Sequence, residues 1–198
     1  MMNKKLMLEL ENATIAKGIT RLDLMEKAGA ECAKVIQDKF EKDKHIVVVC
    51  GPGNNGGDGF VIARHLNEAD YAVNVVVAVD INSIKDEAKE KFMEMQNKLI
   101  TATPNINKID KADVIVDCIL GTGAKGEIKG IVADVIDKIN ATDAKVVSID
   151  VPSGVDPDTG EELNKAIKCD LLICYQDIWQ GLEKLKDKTV MVDIGLGK

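Results

Sequence analysis

The stretch VVVCGPGNNGGDGFVIARHL, residues 47–66, runs from an apolar segment through a glycine-rich turn into an amphipathic one. Gly51, Gly53 and Gly56 satisfy G-x-G-x-x-G, and Asp80 closes the next apolar run, where the ribose-binding acid of a dinucleotide site would stand. That spacing suits any phosphate, because it turns the backbone sharply and leaves N–H groups free at a helix start. Asn54, Asn55 and Asp58 set this loop apart. A carboxylate beside a bare pyrophosphate adds like charge, so Asp58 has to cap the helix or bind a hydroxyl or a cation. Plain capping and turning by all three residues is the alternative.

Outward from this loop, apolar runs rich in Val and Ile recur at 46–50, 73–79, 113–120, 145–150, 170–175 and 189–194. They are continuous rather than alternating, the pattern of strands covered on both faces. Between them, 60–68, 83–99 and 130–140 space apolar residues three and four apart, as amphipathic helices do. The order β-α-β-α predicts an α/β chain: a three-layer αβα, Rossmann-like fold with a mostly parallel central sheet, residues 1–198 forming one domain. Ahead of the first strand, TRLDLMEKAGAECAKVIQDKF (20–40) reads as a helix with Thr20 as N-cap and Asp23 in the capping-box position.

The bulk composition narrows the partners. A net charge of −7 with Lys and Arg interspersed among Asp and Glu lacks the basic footprint of a nucleic-acid binder. No segment approaches the roughly 20 apolar residues of a membrane span, and MMNKKLMLELENATIAKG is too often interrupted by charge for a signal peptide. The five cysteines, Cys32, Cys50, Cys118, Cys169 and Cys174, have no C-x-x-C spacing, which argues for a reducing cytoplasm. His45 and His65 have no acidic or cysteine partner at metal-ligand spacing and read as structural or solvated. A G-x-S-x-G elbow and a G-x-x-x-x-G-K-[ST] loop are both absent.

In open parallel sheets ligands bind beyond the carboxyl ends of the strands, and two further ends are unusual. GTGAKG after 113–120 repeats the glycine spacing at Gly121, Gly123 and Gly126, predicting a second phosphate cradle. Asp117 lies inside that strand, where a carboxylate has to be paired or bound to a cation; a buried pair with Lys or a backbone amide is the other reading. SIDVPSGVDPDTG follows the next run, with Asp150 at its end and Ser153 and Gly154 turning beneath it. Asp150 there is a candidate general acid or base, or an Asx-turn residue before Pro152.

Taken together, LMEKAG, GPGNNGGDGF, DCILGTGAKG and SIDVPSGVDPDTG, in this order, resemble the NAD(P)H-hydrate epimerase family, also called the YjeF N-terminal domain, over nearly the whole chain. The resemblance implies an isomerase that interconverts the R and S forms of NADH and NADPH hydrated at carbon 6 of the nicotinamide ring. It implies that the substrate is contacted by Asn54, Asn55, Gly56, Gly57 and Asp58, and by Gly121, Thr122, Gly123, Ala124, Lys125, Gly126 and Glu127. Asp150 would face the reacting ring, and Asn55, Asp117 and Ser153 would hold a potassium ion, a hard cation suited to oxygen ligands. It implies a separate NAD(P)H-hydrate dehydratase as functional partner, since no dehydratase module follows VDIGLG; family members often form a homodimer, and the sequence leaves the oligomeric state open. The amino-terminal MMNKKLMLEL lead would supply the interface or cover the sheet.

The segment CDLLICYQDIWQGL (169–182) departs from the family pattern: Leu172 and Cys174 replace threonines, Tyr175 a Phe and Trp179 a Lys. Trp179 is expected to stack on a ring or fill the core. Two other functional classes compete with the epimerase. One is a non-catalytic ligand-binding and self-association module of the same fold, which the replacement at Trp179 favours and the intact Asp117 and Asp150 oppose. The other is a nicotinamide-dependent dehydrogenase using Asp80, opposed by the lack of a second domain.

Overall fold

In the computed structural model, which describes residues 1–197, seven strands form one parallel sheet. They are β1 (His45–Cys50), β2 (Ala72–Val77), β3 (Ala102–Thr103), β4 (Val114–Cys118), β5 (Lys145–Ile149), β6 (Leu171–Tyr175) and β7 (Thr189–Val192), in the order β3-β2-β1-β4-β5-β6-β7. Ile46 to Cys50 and Val114 to Cys118 are all buried, as central strands covered on both faces must be. Each of the six apolar runs of the sequence matches one of these strands to within two residues at either end. β3 carries no comparable signal, because two residues are too few to show a period.

Five α-helices flank the sheet: α1 (Lys4–Ala16), α2 (Arg21–Lys39), α3 (Asn54–Glu68), α4 (Asp86–Gln96) and α5 (Gly130–Asn140). α2, α3 and α4 pack side by side in one layer, whereas α5 lies with the 3₁₀ turn Ile106–Lys111 in the other. This division follows from right-handed crossovers: α3 leads from β1 out to one edge, α5 from β4 towards the opposite edge. The chain therefore reverses direction between β1 and β4, which opens a crevice at their carboxyl ends. Thr20 and Asp23 make the expected reciprocal capping box at the start of α2.

Two helix boundaries differ from the sequence reading. The pattern at 83–99 resolves into a 3₁₀ turn, Ile81–Ser83, and then α4. α3 begins at Asn54, six residues before the predicted start, so that Gly56, Gly57 and Gly59 are helical. Glycine is a poor helix former, but here close packing decides. A Cβ on Gly56 would stand 2.0 Å from the Gly51 carbonyl oxygen, and one on Gly57 would stand 2.5 Å from the Met25 sulfur. Beyond these glycines Phe60, Ile62, Ala63 and Leu66 are fully buried, and Phe60 meets Phe92 of α4 edge-on with centroids 5.1 Å apart.

All five cysteines are buried and free, consistent with the absence of a disulfide framework. Among the described residues no helix is long and apolar enough to cross a membrane. His45 bonds the Lys111 carbonyl and the Asn74 amide, and His65 bonds Glu26, so both histidines serve structural roles.

Candidate active site

A cleft of about 480 Å³ opens at the β1/β4 switch point. Asn54, Asn55 and Asp58 line it from the first turns of α3, Gly121 to Ala124 from the loop after β4, and Asp150 from the end of β5. Three strand ends that are far apart in sequence thus converge on one space. α3 starts on Gly53 with no side-chain cap, so its first N–H groups face the cleft, suited to an anionic group.

Other predicted residues lie outside this lining. Gly56 and Gly57 are buried in α3 and serve packing. Lys125, Gly126 and Glu127 continue the loop beyond the cleft, where Glu127 pairs with Lys129 at 2.9 Å. GTGAKG is moreover a loop rather than a helix start: α5 begins only at Gly130, itself a positive-φ glycine like Gly126 before it. The glycine spacing was met without the strand-to-helix context that gives it meaning. Asp80 caps the 3₁₀ turn through the Asn82 N–H at 2.9 Å and lies outside the cleft lining, so the ribose-binding place read for it in the sequence is not where it stands.

Three lining residues carried no local signal. Met7 and Glu11 come from α1, which roofs the cleft, and Tyr175 comes from the end of β6. The Tyr175 hydroxyl donates to Asp58 Oδ2 at 2.8 Å across 117 positions of sequence. Asp58 therefore does not cap α3; burial pushes its carboxyl well above the ordinary range, against the pull of the Tyr175 hydroxyl.

Asp150 is buried with φ of 65°, the left-handed region that Asp tolerates better than most residues. Its backbone N–H donates to Ile173 O at 2.7 Å, which fixes the turn. Burial pushes the carboxyl up to about 7, opposed by the Trp179 indole N–H and the Tyr175 backbone N–H and aided by the charge of Glu11. That value lies near the neutral range in which a group both gives and takes a proton. Trp179 is fully buried and donates from Nε1 to Asp150 Oδ1 at 2.9 Å, so its indole N–H reaches the site while its ring fills the core.

Asp117 is fully buried in β4 with no cationic side chain among its partners. It accepts from Ser148 Oγ at 2.8 Å, from the Ser153 N–H at 2.9 Å and hydroxyl at 2.5 Å, and from the Ile119 N–H at 3.3 Å. The backbone-amide reading of the sequence is met by the Ser153 and Ile119 N–H groups, and the hydroxyls of Ser148 and Ser153 join them in place of a lysine. Beside this cluster the Asn55 side-chain oxygen is buried without any hydrogen-bond partner, while its amide donates to Leu120 O at 3.1 Å. Ser153 Oγ accepts the Leu120 N–H at 2.8 Å and lies 3.2 Å from Leu120 O. An orphaned oxygen next to a carboxylate, a hydroxyl and a carbonyl is the donor chemistry of a hard monovalent or divalent cation.

The sequence model for the YjeF-related protein N-terminus matches residues 21–181. An NAD(P)H-hydrate epimerase of Nitrosopumilus maritimus is 39% identical over 189 residues, covering 92% of this chain and 88% of that protein. One of Cenarchaeum symbiosum is 32% identical, covering 93% and 89%. The bifunctional NAD(P)H-hydrate repair enzyme Nnr of Pyrobaculum aerophilum is 38% identical, but this chain spans 34% of its length. The crystal structure of yeast ynu0, YNL200c, superposes with a TM-score of 0.83 at 25% identity, over 96% of this chain and 86% of that one.

Proposed function

Because the chain belongs to the YjeF-related N-terminal family, we infer that it is an isomerase interconverting the R and S forms of hydrated NADH and NADPH. The observation that carries this reading is the buried Asp150 carboxyl in the cleft at the switch point, which burial raises to about 7. In the hydrated substrate carbon 6 bears both a hydroxyl and the ring nitrogen, so inversion needs one of those bonds to open and re-form on the other face. One proton carrier suffices if the ring opens. The Asp150 carboxylate takes the hydroxyl proton, the oxygen pair forms a carbonyl, and the carbon–nitrogen bond breaks with its electrons on nitrogen. The nitrogen then receives the proton from Asp150. Rotation of the carbonyl and the reverse sequence give the other epimer, with no oxidant or reductant consumed. Acid–base help of this kind contributes about 10²–10⁴-fold.

The first turn of α3 and Gly121 to Ala124 would hold the phosphate-bearing part of the substrate, and Met7 on α1 would exclude water from the ring. Asn55, Asp117 and Ser153, with the Leu120 carbonyl, fit a potassium ion, which would satisfy the unpartnered Asn55 oxygen. When bound it would supply positive charge between the two loops. Exchange of potassium for tetramethylammonium at constant ionic strength is expected to lower the melting temperature of the wild-type protein by a few degrees, as mass action predicts for about 1–3 kcal/mol of binding. Asn55→Ala should abolish the difference. A wild-type melting temperature indifferent to the exchange would remove the ion from this site.

As functional partner we propose an S-specific NAD(P)H-hydrate dehydratase, a reading supported by relatives whose name describes a bifunctional NAD(P)H-hydrate repair enzyme. The buried free thiols suit a reducing cytoplasm as its compartment. The direct test follows the R hydrate of NADH by chromatography in the presence of this protein and that dehydratase. Complete disappearance of the R form is expected; its persistence while ADP-ribose still binds would leave a binding module without chemistry.

A further inference from the structure

The chemistry assigned above to Asp150 depends on how one carboxyl group is oriented, and the inference made here rests on that assignment. Trp179 is the only tryptophan in the chain. It stands immediately before the 3₁₀ segment Gln180–Lys188 and has no exposed surface. Its neighbours are pinned by the amino-terminal arm: the Met2 N–H donates to Ile178 O at 2.7 Å and the Gln180 N–H to Met2 O at 2.8 Å. A side chain so held has one rotamer and one polar atom, and that atom points at Asp150 Oδ1, 2.9 Å away.

The charged and titratable groups around Asp150 come from four elements: Glu11 on α1, Cys32 on α2, Asp58 on α3, and Cys174 and Tyr175 on β6. None is a cation. The carboxylate form of Asp150 is therefore held by neutral N–H donors alone, and the indole is the one side chain among them. An indole N–H cannot accept a proton and cannot itself titrate in the working range, so it can orient a carboxylate without competing for the proton in transit.

We propose that Trp179 is the positioning residue of this epimerase: its indole N–H fixes Oδ1 of Asp150 and leaves proton exchange with the substrate to the other carboxyl oxygen. The ring, packed in the core, transmits the rigidity of the β6–β7 connection to the reacting group. Two consequences separate this role from plain core filling. Because the donor favours the carboxylate, its loss should move the titration of Asp150 upwards. Because the same indole is the only tryptophan fluorophore, its emission should report the charge on Asp150 directly.

The experiment starts with the wild-type protein and no substrate: indole emission is titrated from pH 5 to 9, beside Asp150→Asn. An inflection about pH 7 that vanishes in the variant is expected; a flat wild-type titration, or one unchanged in Asp150→Asn, overturns the proposal. Trp179→Phe is then compared with wild type in turnover. A roughly 10–100-fold lower kcat, the scale of a misplaced reacting group, is expected with KM within about twofold and the acid limb of kcat/KM displaced to higher pH. A fall in kcat with an unmoved limb would make Trp179 a structural residue only. A wild-type protein with no turnover would defeat the epimerase reading while leaving the emission titration able to decide the hydrogen bond.

Discussion

Asp150→Asn is expected to lower epimerisation by about 10²–10⁴-fold and, in the same molecule, to make the fold more stable at neutral pH. Both effects come from burying a carboxyl group that would rather be in water. The folded protein raises this group from 3.8 to about 7. Between those values native Asp150 still holds a proton that the unfolded chain has released, so stability falls as pH rises through that window. Three units at 1.36 kcal/mol each set the full cost on the order of 4 kcal/mol, reached above about pH 7. Asn carries no charge to desolvate, tolerates the left-handed backbone of φ 65°, and can still accept the Trp179 N–H. The variant should therefore melt about 10 °C above wild type at pH 8 and close to it at pH 4.5. Calorimetry at the two pH values checks this, and equal melting at pH 8 would mean that Asp150 is not held at raised pKa.

The parts of this site that were legible in the sequence are those written in local pattern. Continuous apolar runs gave the central strands, and Asp150 stood out because a polar residue ended one of them. α5 was readable at Gly130–Asn140 because its apolar face keeps a regular period, whereas α3 was read six residues short because its first turns are Asn and Gly. Their helical state is dictated by tertiary approach to Gly51 and Met25, which no helix propensity encodes. The Tyr175–Asp58 and Trp179–Asp150 contacts join positions 117 and 29 residues apart, and α1 supplies Glu11 and Met7 from before the first strand. Local spacing carries no record of such pairings. The replacement at Trp179 was visible as a departure from the family pattern, but its consequence needed the indole nitrogen to be located.

The glycines of the opening loop make the same distinction testable, because one motif contains residues kept for two different reasons. A Cβ on Gly51 would lie 1.8 Å from the Ile119 carbonyl oxygen, backbone against backbone, just where the Gly51 N–H donates to Cys118 O at 2.9 Å. Neither chain can yield without parting β1 from β4 at the mouth of the cleft. Gly51→Ala is thus expected to destabilise the protein by more than about 3 kcal/mol, at the severe end of overpacking, and to abolish binding of ADP-containing ligands. Gly56→Ala, with 2.0 Å to the Gly51 carbonyl oxygen, should behave alike. Gly53 has nothing within 4 Å of the corresponding position and an ordinary negative φ of −99°. Gly53→Ala should change stability by no more than about 1 kcal/mol, the scale of an N-cap substitution, yet it lines the cleft, so its methyl group would occupy space meant for ligand. Denaturant unfolding and ADP-ribose titration on the three variants separate the roles. Stability lost at 51 and 56 with affinity alone lost at 53 is the expected division; a strongly destabilised Gly53→Ala would show that the loop is kept glycine-rich for packing throughout, and that its spacing says nothing about a ligand.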